Sequence, residues 1–339
     1  MSRRDAHLSL DDRTRDKPAF VRHFPAIERA VADGHDVIGG LAPLLFPPLP
    51  PRLPPEYLRP FHVDVSDALD AARDDEHRRV VVKRVLEEVL SVTAYSKTIG
   101  FAPTALVDFV WRIAAELLDH AFGSSLFDAD LVDPFAGIGV FADRLIRVHG
   151  VGRILNLEMD PEAAKAARLI IGSALAAKGL RMPVQFRADE ATLIDLPRRE
   201  GIRVIVGNPP RHGSLARTLS WAGEQLGERG LTAFILPRTV TSSQLFAQRR
   251  DHFQRDFDQI YVLDLRGERA RTPTARASAG GNVFGAGGAG GASVVFSVRG
   301  ARRQPVLSYH ADGASREEKL AWIGTVGELA DIPWALATE

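Results

Sequence analysis

The sequence predicts an α/β fold built on a doubly wound, mainly parallel sheet, with a helical extension at its N-terminal end. From Asp130 onwards, short apolar segments alternate with helical patterns, which is typical of a parallel sheet covered by helices on both faces. Two apolar segments, 131–139 and 204–211, end abruptly in turn-forming residues. Because ligands bind at the carboxyl ends of parallel strands, we expect both junctions to open onto the same cavity.

The first part of the chain, 1–94, predicts a helical region interrupted by a proline-rich connector. A helical pattern runs from Pro18 to about Leu41 and gives way to the connector, 43–55. The connector holds seven prolines, a composition that is incompatible with a helix or a central strand. A second helical pattern, 64–93, predicts one or two helices that pack through an apolar stripe.

Residues 95–300 are predicted to form the main domain, and residues 301–339 a short C-terminal tail with one helix around 315–323. Pro103 and Thr104 are residue types that favour the start of a helix, here running through Leu118. Strands are predicted near 130–133, 153–158, 184–187, 203–207, 231–236, 259–264 and 292–298, and helices near 140–149, 161–178, 213–228 and 242–256. No helix separates the last two strands, which indicates a final hairpin and one antiparallel strand.

The connection within that hairpin, 266–291, is long and rich in arginine and glycine. A loop of this length is normally functional or disordered. It should leave the carboxyl end of its strand on the ligand face of the sheet, where Arg266, Arg269, Arg271 and Arg276 suit a contact with nucleic acid. A merely mobile loop is the alternative.

The composition is that of an ordinary globular protein, with 45% hydrophobic and 25% charged residues. The 43 Lys and Arg residues equal the 43 Asp and Glu residues, so a nucleic-acid partner would depend on a local basic patch. The absence of cysteine excludes disulfides, thiolate zinc sites and a cysteine nucleophile. With no secretory signal or membrane-spanning run visible, we expect a soluble, cytoplasmic protein without a membrane partner.

The first junction, Asp-Pro-Phe-Ala-Gly-Ile-Gly at 133–139, predicts a cofactor site. Gly137 and Gly139 allow the backbone to approach a ligand closely, and the following helix directs its amino terminus at the crevice. The pattern is not the G-x-G-x-x-G of a dinucleotide loop, and it begins with an acidic residue. Asp133 suits a cationic amino group, which S-adenosylmethionine possesses and a pyrophosphate does not.

Carboxylates after the next two predicted strands are placed to hold the rest of such a cofactor. Glu158 follows Gly139 at the interval of about 20 residues usual for a ribose-binding acid. A helix-terminal charge is the alternative role for an acid here, and it applies better to Asp160, which precedes Pro161. Asp189 is placed to meet the adenine ring of the same ligand.

The second junction, Gly-Asn-Pro-Pro-Arg at 207–211, offers no nucleophile, no metal ligands and no histidine base. It offers two hydrogen-bond acceptors on a rigid turn, the side-chain oxygen of Asn208 and the carbonyl of Pro209. These acceptors could hold an exocyclic amine for attack on a sulfonium methyl, a reaction that needs mainly positioning and electrostatics. A plain proline turn after a buried strand is the alternative.

These segments resemble the motifs of amino-group DNA methyltransferases, which modify adenine N6 or cytosine N4 with S-adenosylmethionine. Residues 133–139 resemble the cofactor motif, and Asn208-Pro209-Pro210 resembles the start of the (D/N/S)PP(Y/F/W) catalytic motif. Residues 100–104 are similar to the methionine-side motif, and its position first in the chain is the gamma-class order. The segments 260–267, 281–285, 309–310 and 315–320 resemble consecutive signatures of the methyltransferase portion of type ISP restriction-modification enzymes.

The resemblance implies a Rossmann-like methyltransferase sheet and a DNA methyltransferase of a restriction-modification or phage-defence system, with adenine N6 as the expected target. It implies S-adenosylmethionine as cofactor, no metal, double-stranded DNA from which the target base is flipped, and a possible separate recognition or nuclease subunit. The implied catalytic residues are Asn208, Pro209, Pro210 and Arg211. The implied cofactor-binding residues are Thr104, Asp133, Pro134, Phe135, Ala136, Gly137, Gly139, Glu158, Met159, Asp189 and Asn208, and Arg211 joins the arginines of 266–276 as a nucleic-acid contact.

Arg211 departs from the family pattern, because it replaces the aromatic residue that stacks on the flipped base. A guanidinium plane also stacks on bases, so this change is compatible with activity. It is equally compatible with a catalytically weak or inactive DNA-binding or partner subunit. An amino methyltransferase that acts on RNA or on protein glutamine is a third hypothesis, because Asn-Pro-Pro also serves those substrates.

Overall fold

The computed structural model covers most of the N-terminal helices and nearly all of the sheet. It describes residues 19–50, 52–92, 101–181, 185–187, 194–196, 201–209, 215–242, 255–267, 279–284, 290–311 and 313–336. Within these ranges no helix is long and apolar enough to cross a membrane.

The described part of the N-terminal region contains the helices α1 (Phe24–Ala32), α2 (Val37–Leu45), α3 (Arg59–Asp70) and α4 (Asp75–Ser91). The predicted pattern over 64–93 thus corresponds to two helices rather than one. They pack around a core that includes Phe61, Val85 and Leu90. Ile138, in the loop that was predicted to bind the cofactor, belongs to the same core, so the N-terminal helices support that loop directly.

The prediction that the connector contains no helix is wrong at Pro43. This residue lies within α2, whose N-cap residue Asp36 accepts a hydrogen bond from the Gly39 amide at 2.8 Å. A proline removes one backbone donor from a helix. The cost is limited because α2 ends at Leu45, and its apolar side, which includes Leu41, is buried.

Helix α5 (Thr104–Phe122) connects this region to the sheet. It begins where the sequence predicts, with Pro103 at the N-cap position, and ends at Gly123 in the left-handed conformation. The indole Nε1 of Trp111 donates a hydrogen bond to the carbonyl of Phe141 at 2.9 Å, which fixes α5 against the helix that follows the first strand.

Among the described residues, nine strands form one sheet in the order β3-β2-β1-β4-β5-β7-β6-β8-β9. The first five are β1 (Asp130–Asp133), β2 (Leu155–Leu157), β3 (Phe186–Arg187), β4 (Arg203–Gly207) and β5 (Gly230–Pro237), and they pair in parallel. Strand β7 (Ala292–Arg299) pairs antiparallel with β5 and with β6 (Gln259–Arg266). The predicted α/β class, a Rossmann-like sheet with an antiparallel strand in its final hairpin, is confirmed.

Helices lie on both faces of the sheet: α6 (Val140–Arg144, continued by a π-turn to His149), α7 (Pro161–Ala177), α8 (Leu215–Gln225) and the short α9 (Arg238–Ser242). Alternate residues of β4 enter different cores, since Val204 and Val206 pack in the cluster of α5 whereas Ile205 packs with Trp221 of α8. This alternation explains why β4 is a continuous apolar run. The predicted helix over 242–256 lies largely outside the described residues.

The residues after 300 extend the same sheet. Strand β8 (Leu307–His310) pairs in parallel with β6, and β9 (Ala335–Leu336) pairs antiparallel with β8. Helix α10 (Arg316–Thr325) packs against α5, and its Leu320 and Ile323 join the main core. The sequence predicted the helix but neither strand.

Candidate functional site

The carboxyl ends of β1 and β4 meet at one point, as the sequence predicts. These strands are neighbours, with Val132 opposite Ile205. A Cβ atom added to Gly207 would lie 3.2 Å from Asp133 Oδ1 and 3.6 Å from Phe135 Cδ2. The loop after β1 therefore packs on the backbone that immediately precedes Asn208.

Asp133 is completely buried at this meeting point. Its Oδ1 accepts a hydrogen bond from the Phe135 amide at 3.0 Å, whereas Oδ2 has no hydrogen-bond partner among the described residues. Burial raises the pKa of Asp133 to about 8 and the nearby Glu158 carboxylate adds to the rise, although the Phe135 hydrogen bond opposes it. A buried acceptor without a partner is the chemistry that a donor on a bound ligand would complete.

The glycine loop approaches α7 too closely for a side chain. Gly139 adopts a φ of 82°, and a Cβ there would lie 3.0 Å from Ile171 Cδ1 and 3.2 Å from the Ala167 Cβ. The Ala136 amide donates to the Leu157 carbonyl at 3.0 Å, which ties the loop to the end of β2. The loop is thus held between β2 and α7, at the amino terminus of α6.

Glu158, at the end of β2, is buried and fixes two loops at once. Its Oε2 accepts the Gly137 amide at 2.8 Å, and its Oε1 accepts the Asp160 amide at 2.9 Å. Each carboxylate oxygen has a second lone pair, so these bonds are compatible with an additional donor from a ribose hydroxyl. Asp160 itself caps α7 by accepting the Glu162 and Ala163 amides, which confirms its predicted helix-terminal role. Met159, between these two acids, is 50% exposed.

The second junction is described as far as Pro209. Asn208 is half-buried and Pro209 is buried, directly after Gly207 at the end of β4. The other predicted residues of this junction, Pro210 and Arg211, lie outside the described residues, as do Asp189, Arg269, Arg271 and Arg276. Arg266 is described and closes β6 at the same edge of the sheet.

Thr104 is buried at the first position of α5, and its Oγ1 accepts a hydrogen bond from Lys83 Nζ at 3.1 Å. Lys83 belongs to α4, so the N-terminal region reaches the residue that the methionine-side motif implies for the cofactor. Sequence reasoning did not identify Lys83, because a lysine on an amphipathic helix carries no local signal of its partner.

Comparison with known proteins gives matches at the level of structure alone. No protein-family model matches this chain, and no curated protein sequence matches it. DrdV, solved in a complex with DNA, superposes with a TM-score of 0.73 at 22% identity over 84% of this chain and 35% of that chain. A nuclease-deletion mutant of the type ISP restriction-modification enzyme LlaGI, in complex with a DNA substrate mimic, superposes with a TM-score of 0.66 at 17% identity over 94% and 38% of the two chains.

A third structure agrees with these two. The ATP-dependent type ISP restriction-modification enzyme LlaBIII, bound to DNA, has a TM-score of 0.65 at 15% identity over 98% of this chain and 32% of that chain. This chain shares its fold with part of the type ISP restriction-modification enzymes. It spans only about a third of the length of these matches, so the likeness concerns one part of each larger protein.

Proposed function

We propose that this chain is an S-adenosylmethionine-dependent DNA methyltransferase that transfers a methyl group to an exocyclic amine, adenine N6 in the first instance. The observation that carries the proposal is the contact between Asp133 and Gly207. This contact supports the proposal because a cofactor held at the end of β1 would lie beside the acceptors of Asn208 and Pro209 at the end of β4. Methyl transfer needs this adjacency of donor and acceptor sites.

The residues after β1 and β2 fit the proposed cofactor. Asp133 Oδ2 is buried and has no hydrogen-bond partner among the described residues, and the ionised carboxylate would suit the cationic amino group of the methionine moiety. The backbone around Gly137 and Gly139 allows close approach, and Glu158 suits a ribose hydroxyl. Met159 presents an exposed apolar side chain next to these groups, where it would cover the adenine ring. We assign Thr104, with Lys83 beside it, to the methionine carboxylate.

When bound, S-adenosylmethionine supplies a methyl group activated by the positive charge of its sulfonium. In our proposal, the Asn208 side-chain oxygen and the Pro209 carbonyl accept hydrogen bonds from the two N–H groups of the target amine. These bonds draw the nitrogen lone pair out of conjugation with the ring and direct it at the methyl carbon. The amine nitrogen would receive the methyl group as the carbon–sulfur bond breaks, which would leave a neutral thioether, and the methylated amine would release one proton to solvent. No ionisable base is required, because positioning and electrostatics carry the reaction.

DNA as the substrate is supported by the three matched structures, each of which contains DNA or a DNA substrate mimic. We propose that the target base is flipped out of the duplex towards the carboxyl ends of β1 and β4, at a cost of a few kcal/mol. A restriction-modification or phage-defence setting follows from the same likeness. Target recognition and DNA cleavage would then belong to other segments or subunits.

A DNA-binding subunit without catalysis is the second candidate, and Arg211 in place of the family's aromatic residue favours it. The two candidates differ in turnover. Incubation of the chain with DNA and S-adenosylmethionine labelled on its methyl group tests the choice. Our proposal expects label in the DNA, whereas cofactor and DNA binding without transfer would favour the second candidate.

A further inference from the structure

Two buried carboxyl groups hold the loop that follows β1. Asp133 Oδ1 accepts the Phe135 amide at 3.0 Å, and Glu158 Oε2 accepts the Gly137 amide at 2.8 Å. Both acidic side chains are buried, and that of Asp133 is buried completely. The loop therefore brings two acids into one buried site, where two negative charges would repel each other.

The two acids differ in the donors that serve them. Glu158 also accepts the Asp160 amide at 2.9 Å, so each of its oxygens has an amide donor. Asp133 has one amide donor, and its Oδ2 has no hydrogen-bond partner among the described residues. Amide donors stabilise the charged form of a carboxylate, whereas burial without them favours the neutral form. Of the two acids, Asp133 is therefore the one that keeps a proton.

The surroundings of Asp133 offer no positive charge to oppose this. Strand β2 presents the uncharged Asn156 opposite Asp133, and β4 presents the backbone of Gly207. Among the described residues, the ionisable group that acts on Asp133 is Glu158, whose charge has the same sign. Burial, together with that charge, raises the pKa of Asp133 to about 8. Near neutral pH the carboxyl group is therefore mostly protonated before a ligand binds.

A ligand that brings an ammonium group to Asp133 must change this protonation state. The α-amino group of an amino acid is itself protonated below about pH 8. A neutral carboxyl group and an ammonium group together hold one proton more than the ion pair between a carboxylate and an ammonium group. When the two groups meet, the surplus proton passes to solvent.

We infer that binding of the cofactor's amino group expels the Asp133 proton, so that Asp133 couples cofactor binding to pH, an inference that rests on the proposed function. The carboxylate that remains pairs with the ammonium group of the methionine moiety through Oδ2, and no other covalent bond changes. Because one proton is released, the association constant for S-adenosylmethionine rises about tenfold per pH unit below about pH 7. The burial that opposes ionisation of Asp133 also strengthens the ion pair once it has formed.

Titration calorimetry at about pH 6, in buffers of different ionisation enthalpy, counts the protons released on binding. At this pH the cofactor's amino group is fully protonated, so the count reports on the protein. We expect about one proton per bound S-adenosylmethionine. S-adenosylhomocysteine, which keeps the amino group and lacks the sulfonium, should release the same number. Methylthioadenosine, which lacks the amino-acid moiety, should release none.

Two variants assign the proton to its residue. Asp133→Asn should release no proton with any of the three ligands, and its affinity for S-adenosylmethionine should not change between about pH 5.5 and 7. Glu162→Gln is the matched control, because it converts a nearby carboxylate of α7 to an amide at a residue that is assigned no cofactor contact. It should release a proton as the wild-type protein does. The ligand series needs only the wild-type protein, so the test does not depend on binding by Asp133→Asn.

Three results would overturn the inference: binding of S-adenosylmethionine without proton release, equal release with methylthioadenosine, or release that persists in Asp133→Asn. Each of them concerns only the protonation of Asp133 and would leave the proposed methyl transfer standing. Absence of S-adenosylmethionine binding at every pH would end this inference and the proposed function together.

Discussion

The carboxyl group of Asp133 packs against the backbone of Gly207, with Oδ1 3.2 Å from the position that a Cβ on residue 207 would take. This contact joins the end of β1 to the end of β4 and leaves Asp133 Oδ2 buried without a partner among the described residues. The two junctions of the proposed reaction site therefore form one packed unit, and a substitution at one junction should affect ligand binding at the other.

Gly207→Ala tests this coupling. The added methyl group would be closer to Asp133 Oδ1 than ordinary packing allows, so Asp133 must shift. Overpacking of this kind costs about 1 to 3 kcal/mol. We expect cofactor affinity to fall roughly tenfold or more, although residue 207 is assigned no cofactor contact. Calorimetric titration with S-adenosylmethionine measures the change, and unaltered affinity would show that the junctions are independent.

The buried Asp133 should make stability depend on pH. Its pKa is raised from 3.8 to about 8, so between these values the folded protein keeps a proton that the unfolded chain has lost. The free energy of unfolding contributed by this group then falls as pH rises, by at most about 1.4 kcal/mol per pH unit. Asp133→Asn should remove this slope and be more stable than wild type near pH 7 in the absence of cofactor.

Urea unfolding of the wild-type protein and of Asp133→Asn at several values between pH 5 and 8 measures their difference in free energy of unfolding. Other titrating groups contribute equally to both proteins and therefore cancel in this difference. A difference that stays constant with pH would mean that Asp133 is ionised in the folded protein.

Gly139→Ala should damage the cofactor loop by steric contact as well as by backbone strain. Its Cβ would meet Ile171 Cδ1 at 3.0 Å, at a φ of 82°. Gly150→Ala is the matched control, because Gly150 has a similar φ of 73° with nothing within 4 Å. We expect a loss of about 1 kcal/mol for the control. Gly139→Ala should lose a further 1 to 3 kcal/mol or so.

Thermal unfolding checks both glycine variants, and cofactor titration should separate them further. The control should bind S-adenosylmethionine normally, whereas Gly139→Ala should bind it weakly. Equal behaviour of the two variants would mean that the close approach at Gly139 has no functional consequence.

Glu158→Gln should loosen both loops that the carboxylate now holds. The glutamine amide would present a donor to the Gly137 or the Asp160 amide, each of which is itself a donor. Loss of a hydrogen bond to a charged group costs about 1.5 to 3 kcal/mol. We expect at least a tenfold weaker affinity for the cofactor. Glu162→Gln, which removes a half-buried carboxylate paired with Lys165 in the first turn of α7, is the control and should bind as wild type does.

The main elements of the site follow from local sequence patterns. The ends of β1 and β4 are visible because an apolar run stops at proline and glycine, and such a boundary needs no tertiary information. The capping role of Asp160 could also be predicted, because an acid directly before Pro161 is typical of the start of a helix. The contacts of Glu158 could not be predicted from the sequence. Its partners are backbone amides, and an amide gives no residue-specific signal.

Features that depend on distant pairing escaped prediction. Strand β8 is short and partly exposed, and it forms because β6 offers an unpaired edge. Asp264 is an acid within an apolar strand, yet its partners Arg238 and His310 lie 26 and 46 residues away in the chain. The parallel register between β6 and β8 places Asp264 opposite His310, and the order of β5, β7 and β6 in the sheet places Arg238 near them.

In the proposed reaction, Asn208 holds an amine for methylation. Mass spectrometry of nucleosides from DNA incubated with the protein and S-adenosylmethionine tests this role, with Asn208→Ala as the control. The proposal predicts N6-methyladenine in the wild-type reaction and at least a hundredfold less with Asn208→Ala, at similar cofactor affinity. N4-methylcytosine would correct the target base alone. Absence of any methylated nucleoside, with cofactor and DNA binding intact, would show that the protein is not a DNA methyltransferase.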